Sequence, residues 1–423
     1  MITVLVLNAG SSSLKACLYR LAPEMAATAA TPPAPLWQGL LDWGQNPTVA
    51  RLKVTTAGQR YEANLTHPKG GIAALQDWLK TLLDTLTSDP TTILKSLAEI
   101  TMISHRVVHG GSRYRAAVRV DTQVKAAIRE LSEYAPLHNP ANLLGIELMA
   151  EICPQTPQVA VFDTAFHAQL PAVARTYAIP YELTSAGIQR YGFHGISHQY
   201  VSERAATLLQ RPLAALRLIT CHLGNGCSLT AVKGGVSVET TMGFTPTAGV
   251  MMGTRCGDID PGILLYLLRR GKTVEELDRL VNRQSGLLGV SGVSNDLRQI
   301  LAAIDQGNAQ AQLAYDCFIY SLQRGIASLL PALGGLDGLV FTAGIGENAA
   351  GVRRDVCQGL SWLGIELDRA LNEEGAGDRD LAPADAPVRV LVVHTQEDWA
   401  IACACVRLLS TQNSETSPNS ETL

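Results

Sequence analysis

The run LITCHLGNGCSLTAVKGG, Leu218 to Gly235, limits the fold most tightly. An apolar, β-branched segment (Leu218, Ile219, Thr220) meets Gly224-Asn225-Gly226, and strand-like residues resume from Cys227 to Val232. The pattern predicts a hairpin whose glycines are free to take positive φ. Such a turn bares successive backbone N–H groups, which can hold an anionic group as phosphate-binding nests do. Taken alone, the run reads better as an ordinary hairpin, because most Asn-Gly turns bind nothing. The start of the chain repeats it. Val4 to Tyr19 has an apolar strand, then Asn8-Ala9-Gly10 with Ser11, Ser12 and Ser13, then a returning strand from Leu14. The serines offer hydroxyl donors and Lys15 a mobile charge suited to phosphate. A third glycine turn, TAGIGEN from Thr342 to Asn348, follows the apolar run Leu339 to Phe341. The two hairpins suggest a duplicated nucleotide-binding architecture, and three glycine turns after three strands are unlikely by chance. None fits G-x-x-x-x-G-K-[ST] or a complete G-x-G-x-x-G, so P-loop and dinucleotide folds lose ground.

At 423 residues, 47% of them hydrophobic, the chain is long enough for two domains with sizeable cores. The net charge of −4 and the lack of any basic block argue against nucleic acid or a membrane surface as partner. Met1 to Leu7 lacks a basic flank, so no cleaved signal is expected, and no stretch is long enough to span a bilayer. Nine cysteines without a C-x-x-C pair fit reduced thiols in a cytoplasm better than disulfides or a zinc site, and Cys403 and Cys405 read as core.

Between Leu21 and Asn46 the chain is Ala-, Thr- and Pro-rich and reads as an exposed excursion without chemistry. Helical spacing from Ile72 to Leu86 puts Leu75, Leu79, Leu82 and Leu86 on one stripe. ITMISHRVVHGG, Ile100 to Gly111, is a strand that delivers His105, Arg106 and His109 to its C-terminal end, where open α/β sheets bind ligands. Arg106 suits a carboxylate or phosphate, with a structural salt bridge an equal alternative. A helix from about Ala141 to Ile152 follows Leu137-His138-Asn139-Pro140. A short strand then ends at Asp163, an acid placed to orient Mg²⁺ or substrate, or to cap a helix. In RYGFHGISH, glycines flank Phe193-His194 and leave the imidazole accessible. His194 and His198 lack a third ligand at suitable spacing, which disfavours zinc. Met242 to Gly262 is a glycine-rich loop of the kind that carries function, with Arg255 between Gly253 and Gly257 and with Asp258 and Asp260 as candidate partners. From Pro261 the chain is largely helical, with Leu322, Ile326, Leu329 and Leu330 on one face. SGVSNDLRQ, Ser291 to Gln299, is a loop entering a helix. Val388 to Val393 is a last strand before Glu397 and a terminal helix, and the polar tail from Ser410 is expected to be disordered.

Taken together, LNAGSSSLK, HRVVHGG, FDTAFH, YGFHGISH, HLGNG, GTRCGDIDP and TAGIGEN resemble the acetate kinase family, in order over most of the chain. The resemblance weakens in Ala22 to Ile72, Asp378 to Pro387 and the tail. It implies an α/β fold of two ribonuclease H-like (actin-like ATPase) domains, each a βββαβαβα core, with the active site in an interdomain cleft. One domain would comprise residues 1–163 plus 397–423, the other 164–396. The implied reaction is direct, reversible phosphoryl transfer from ATP to acetate in the cytoplasm, by a homodimer, with Mg²⁺ or Mn²⁺ as cofactor. The resemblance makes Arg106, Asp163, His194 and Arg255 catalytic, with Arg106 also binding substrate beside an apolar pocket of Val108, Leu137, Phe193 and Pro246. Asn8 and Glu397 would hold the metal. Ser13, Lys15, His222, Leu223, Gly224, Asn225, Gly226, Asp296, Leu297, Arg298, Gly344, Ile345, Gly346, Glu347 and Asn348 would take the nucleotide. Cys256 and Leu297 depart from the family's usual Ser and aromatic residue, which bears on adenine-side packing. The chemistry agrees independently: a carboxylate is ionised above pH ~4 and needs charge neutralisation rather than a general base. Two other functions compete, a propionate or short-chain fatty acid kinase of the same family and, in a different class, an actin- or chaperone-like ATPase switch.

Overall fold

A computed structural model describes residues 1–10, 12–26, 32–44, 46 and 48–415. Ser11, residues 27–31 of the Pro-rich excursion and residues 416–423 of the tail lie outside the described residues. The chain divides into unit 1, Met1–Ala165 with Gln396–Leu423, and unit 2, Phe166–Thr395.

Unit 1 holds β1 (Ile2–Ala9), β2 (Ser13–Leu21), β3 (Trp37–Asp42), β4 (Val49–Thr56), β5 (Arg60–Thr66), β6 (Met102–Val107), β7 (Val118–Arg119) and β8 (Gln158–Phe162). They form one sheet in the order β5-β4-β3-β2-β1-β6-β8-β7. Its helices are α1 (Gly71–Asp84), α2 (Thr122–Glu130), α3 (Asn139–Ile152) and a terminal helix, Glu397–Glu415. Unit 2 holds β9 (Arg217–Leu223), β10 (Cys227–Lys233), β11 (Val236–Thr240), β12 (Gly338–Thr342), β13 (Arg379–Asp380) and β14 (Arg389–Val392), ordered β11-β10-β9-β12-β14-β13. Its helices are α4 (Ala172–Arg175), α5 (Tyr181–Ser185), α6 (Gly195–Leu208), α7 (Pro261–Arg269), α8 (Val274–Arg283), α9 (Gly286–Ser291), α10 (Leu297–Asp305), α11 (Ala309–Leu333), α12 (Ala343–Asn348), α13 (Ala350–Gln358) and α14 (Arg369–Glu373).

The two sheets share one plan. Three antiparallel strands meander, and two parallel strands then add on the far side of the first, giving β3-β2-β1-β6-β8 and β11-β10-β9-β12-β14. This is the duplicated ribonuclease H-like core that the motifs imply. The first strand of each plan is covered on both faces, so Val4 to Leu7 and Leu218 to Leu223 are continuously buried rather than alternating. In unit 1 the covering residues include Trp78, Leu79, Leu82 and Leu83 of α1 on one side, and Val124, Ile128, Leu143 and Ile146 of α2 and α3 in a second cluster.

Four expectations need correction. The Pro-rich excursion ends in a core strand: Trp37 and Leu41 of β3 are fully buried, because the apolar WQGLLD segment pairs with β2 and β4. TAGIGEN is the short helix α12 and not a turn, entered through Ala343 at φ +64°. Gly224 and Gly226 do not take positive φ; the turn is closed instead by Gly224 N donating to Gly226 O at 3.0 Å. Residues 410–415 of the tail continue the terminal helix, since no glycine or proline interrupts it there.

Gly39 shows how tightly the first core is filled. A Cβ there would lie 2.4 Å from Leu82 Cδ1 and 2.5 Å from the Trp37 ring, whose Nε1 donates to Thr85 Oγ1 at 3.1 Å. Gly39→Ala should therefore destabilise unit 1 by about 1–3 kcal/mol, read as a lower urea midpoint, and an unchanged midpoint would show that this core can relax.

Two buried histidines make stability depend on pH. His105 on β6 bonds Gln158 through Nε2 at 2.6 Å, and His167 bonds Ser237 Oγ and donates to Phe193 O. Burial pushes both down to about 4. The folded chain then binds fewer protons than the unfolded chain between their folded and ordinary values, so this stability is complete above pH ~6.5 and is lost on acidification towards 4. The unfolding free energy from urea titration should fall over that window, by up to about 3 kcal/mol per histidine. A flat profile would mean that both rings already carry their proton in the fold.

Candidate functional site

Because β1, β6 and β8 run parallel, their C-terminal ends meet at one edge of the unit 1 sheet. Asn8, one residue before the end of β1, meets Arg106 of β6, and Asp163 continues the β8 ladder through its N–H to Val107 O at 3.0 Å. Arg106 faces Asp163 in a bidentate pair, Nε to Oδ1 at 3.0 Å and Nη2 to Oδ2 at 2.5 Å. Asp163 is 1% exposed and the arginine side chain 19%. Burial opposes the guanidinium's charge, but Asp163, Glu397 and Asp398 outweigh it and hold the proton firmly. Nη1 turns to Asn8 Oδ1 at 3.4 Å. One edge of the fork is thus the salt bridge, and the other donors stay directed at the strand ends.

Glu397 and Asp398 open the terminal helix. Lys15, expected at nucleotide phosphates, places Nζ 2.6 Å from Asp398 Oδ2 within unit 1; burial lowers its pKa, and the Asp398 charge more than reverses that. Cys17 Sγ donates to the same carboxylate. Val108 and Leu137 also lie in unit 1, and buried Asn142 and Asn139 shape their surroundings. Asn142 accepts from Val108 N at 3.1 Å and donates to Ala9 O at 2.7 Å, while Asn139 brackets the backbone of His109 through its N–H and C=O. Sequence reasoning missed both asparagines. Their signal was the Asn-Pro-Ala-Asn spacing, three apart on one helix face.

Metal ligands would come from this edge. Glu397 Oε1 is a buried oxygen with no hydrogen-bond partner, and Asn8 Oδ1 already faces a cation. Hard oxygens of this kind suit Mg²⁺, which keeps several waters and phosphate oxygens and needs few protein ligands. Among the described residues no group of three His, Cys, Asp or Glu side chains could hold a metal by itself.

In unit 2 the hairpin turn is clasped by the 242–260 loop. Gly253 N donates to Asn225 O at 3.0 Å, Asn295 Nδ2 donates to Asn225 Oδ1 at 3.0 Å, and a Cβ on Gly253 would sit 2.2 Å from that oxygen. Gly226 lets two side chains come close: a Cβ there would lie 3.1 Å from Arg255 Nη1 and 3.4 Å from the His194 ring, so both side chains converge on the turn. Arg255 Nη1 also donates to Pro246 O at 3.2 Å. Asp258 accepts from Gly249 N and Asp260 caps α7 at Gly262 N, so the two acids serve the loop's backbone. His194 precedes α6 at φ +56°, between the glycines that permit the bend, and stacks on His222 at 4.1 Å. Phe193 beside it is buried.

The other nucleotide candidates occupy helix starts. Asp296 caps α10 and pairs with exposed Arg298, while Leu297 is buried between them. Gly344, Ile345, Gly346 and Asn348 lie in α12. The Glu347 carboxylate is spent inside unit 2, accepting from Ala343 N and Thr395 N and pairing with His394 Nδ1. Arg353, 1% exposed, donates to Gly346 O and Glu347 O and fastens the end of α12 to Asn372. Only tertiary contacts mark it out, and the sequence alone gave no sign of it.

Comparison with known proteins agrees with these motifs. A curated acetate kinase of Thermosynechococcus vestitus is 88% identical over 410 residues, covering 97% of this chain and 99% of that protein. The crystal structure of Porphyromonas gingivalis acetate kinase has a TM-score of 0.87 at 38% identity, covering 97% of this chain and 100% of that one. A propionate kinase from Francisella tularensis has a TM-score of 0.85 at 37% identity, covering 96% and 99%. The profile of the Acetokinase family matches residues 3–403, and the chain therefore belongs to that family.

Proposed function

We propose that this protein transfers a phosphoryl group directly and reversibly between ATP and acetate, forming ADP and acetyl phosphate. The observation that carries the reading is Arg106, anchored by Asp163 at the strand ends with donors still available for an anion, in a chain 88% identical to an acetate kinase. Acetate enters ionised, so the barrier is repulsion between carboxylate and polyphosphate rather than a missing base. A loose in-line transition state spreads charge over the equatorial oxygens. Arg106 pairs with the acetate carboxylate and then with the transferring group, and Asp163 holds the guanidinium in place. His194 and Arg255 donate to the phosphoryl oxygens. Asn8 and Glu397 would hold Mg²⁺, which when bound neutralises phosphate charge. The amides at His222–Gly226 and the starts of α10 and α12 take the nucleotide, through Ser13 from the first hairpin as well.

Val108, Leu137, Phe193 and Pro246 are the apolar wall that limits acid length. A wall without polar groups separates acetate from propionate by only about 1–3 kcal/mol per methylene, and the structural likeness to a propionate kinase keeps that acid as the second substrate to test. Nine cysteines without a C-x-x-C pair support a reducing cytoplasm, and the exposed Ile263, Leu265 and Tyr266 of α7 support a homodimer. Among the described residues no helix is long and apolar enough to cross a membrane.

ADP release across formate, acetate, propionate and butyrate tests the reaction, with turnover expected to require the acid and to favour acetate. Release independent of any acid would instead indicate an ATPase switch. Arg106→Ala should lower kcat/KM for acetate by roughly 10²-fold or more, and near-normal turnover would remove Arg106 from the chemistry. Glu397→Ala should move the Mg²⁺ titration to higher concentration. A titration and rate equal to the wild type would make Glu397 only the first acid of a helix.

A further inference from the structure

Four histidines of unit 2 gather beside β9 and β10. His198 lies edge-on to His167 at 5.9 Å and to His222 at 6.3 Å, and His222 stacks on His194. Through two of them, His194 and His198, runs one chain of hydrogen bonds. His194 Nδ1 meets Ser228 Oγ at 2.8 Å, Ser228 Oγ meets His198 Nε2 at 2.7 Å, His198 Nδ1 meets Thr220 Oγ1 at 2.7 Å, and Thr220 Oγ1 donates to Thr230 O at 3.4 Å.

The last carbonyl can only accept, and that sets the direction of every bond before it. Thr220 gives its one proton to Thr230 and so accepts from His198 Nδ1–H. His198 is fully buried, and burial together with the His167 and His222 rings keeps it neutral, so its Nε2 is a lone pair. That lone pair takes the only proton of Ser228, which is itself fully buried. Ser228 must then accept from His194, whose proton sits on Nδ1.

Resting on the reading of His194 as a phosphoryl ligand, we propose that Ser228 and His198 are positioning residues that hold His194 in its Nδ1–H form, so that it donates through Nε2 only as an imidazolium. In the neutral ring Nε2 would present a lone pair to an anionic oxygen, which repels. The titratable groups packed around the pair are His222 and Cys221 from β9, Cys227 from β10, Arg255 from the 242–260 loop and His167. β12, which also packs on α6, brings none. Burial holds the Cys221 and Cys227 thiols protonated, and Arg255 stays cationic.

Histidine-selective ¹⁵N NMR of the full chain reads the tautomer directly, with the His194 signals identified by their loss in His194→Gln. Above its titration His194 should carry its proton on Nδ1, and a proton on Nε2 would overturn the proposal whatever the ring does in catalysis. The wild-type kcat should fall on the alkaline side along His194's own titration. Ser228→Ala should lower kcat by roughly 10-fold, less than loss of a whole oxyanion donor, with smaller changes in KM for ATP and acetate. It should also flatten the alkaline fall, because the released ring can take the Nε2–H form. Ser228→Thr, which keeps the hydroxyl, should restore the profile. A wild-type pH profile in Ser228→Ala would overturn the positioning role. Full turnover in His194→Gln would instead sink the reading of His194 as a phosphoryl ligand and leave the tautomer result standing.

Discussion

The pairing of Arg106 with Asp163 is the interaction on which the unit 1 site depends. Asp163 is almost fully buried, and an isolated carboxylate there would cost several kcal/mol in lost hydration. Two parallel N–H···O bonds offset that cost and fix the plane of the guanidinium. Lysine could match the charge but not the plane, and it would leave one carboxylate oxygen short of a donor. The same geometry leaves Nη1 turned to Asn8, so the pair stabilises the strand ends and aims a cation along their edge in one arrangement.

That arrangement follows from topology. Parallel strands need crossovers, crossovers put helices on both faces, and the only edge left uncovered is where the strands end. In unit 1 this edge gathers Asn8, Arg106 and Asp163 from segments far apart in sequence. In unit 2 the corresponding plan places the 224–226 turn, the start of α12 and the end of β14 around His222. Duplication therefore supplies two edges of the same kind with different chemistry. The first is built on an ion pair, the second on backbone amides, imidazoles and glycines that admit side chains at close range.

Much of this was legible in the chain because it is local. Strand, glycine turn and strand are read from adjacent residues, as is the stripe of α1, whose Leu79 and Leu82 are buried as spaced. What stayed hidden depends on partners far away. The segment of β3 is apolar but follows a proline cluster, and only its pairing with β2 and β4 makes it core. Lys15 reads as a phosphate ligand, and nothing near it in the chain reveals that Asp398, 383 residues later, pairs with its ammonium group. TAGIGEN reads as a turn because glycine is a poor helix former; Glu347 overcomes this by capping Ala343 N with its own side chain, and Arg353 secures the other end. Ser228 and Thr220 look like ordinary strand residues, and nothing in their spacing reveals that they face two histidines.

The unit 2 loops also show why glycine recurs there without positive φ being the reason at each position. At Gly226 and Gly253 the constraint is space, since an added methyl group would meet Arg255 and His194 in one case and Asn225 in the other. At Gly286, φ is +63° and a Cβ would lie 2.1 Å from Met252 O, so conformation and space act together. Those contacts pin the 242–260 loop to α9 through Leu287 N to Met252 O and Leu288 N to Gly253 O. A loop so fastened does not need to be ordered by its ligand. The entropy of holding Arg255 in place is then largely met on folding rather than on binding.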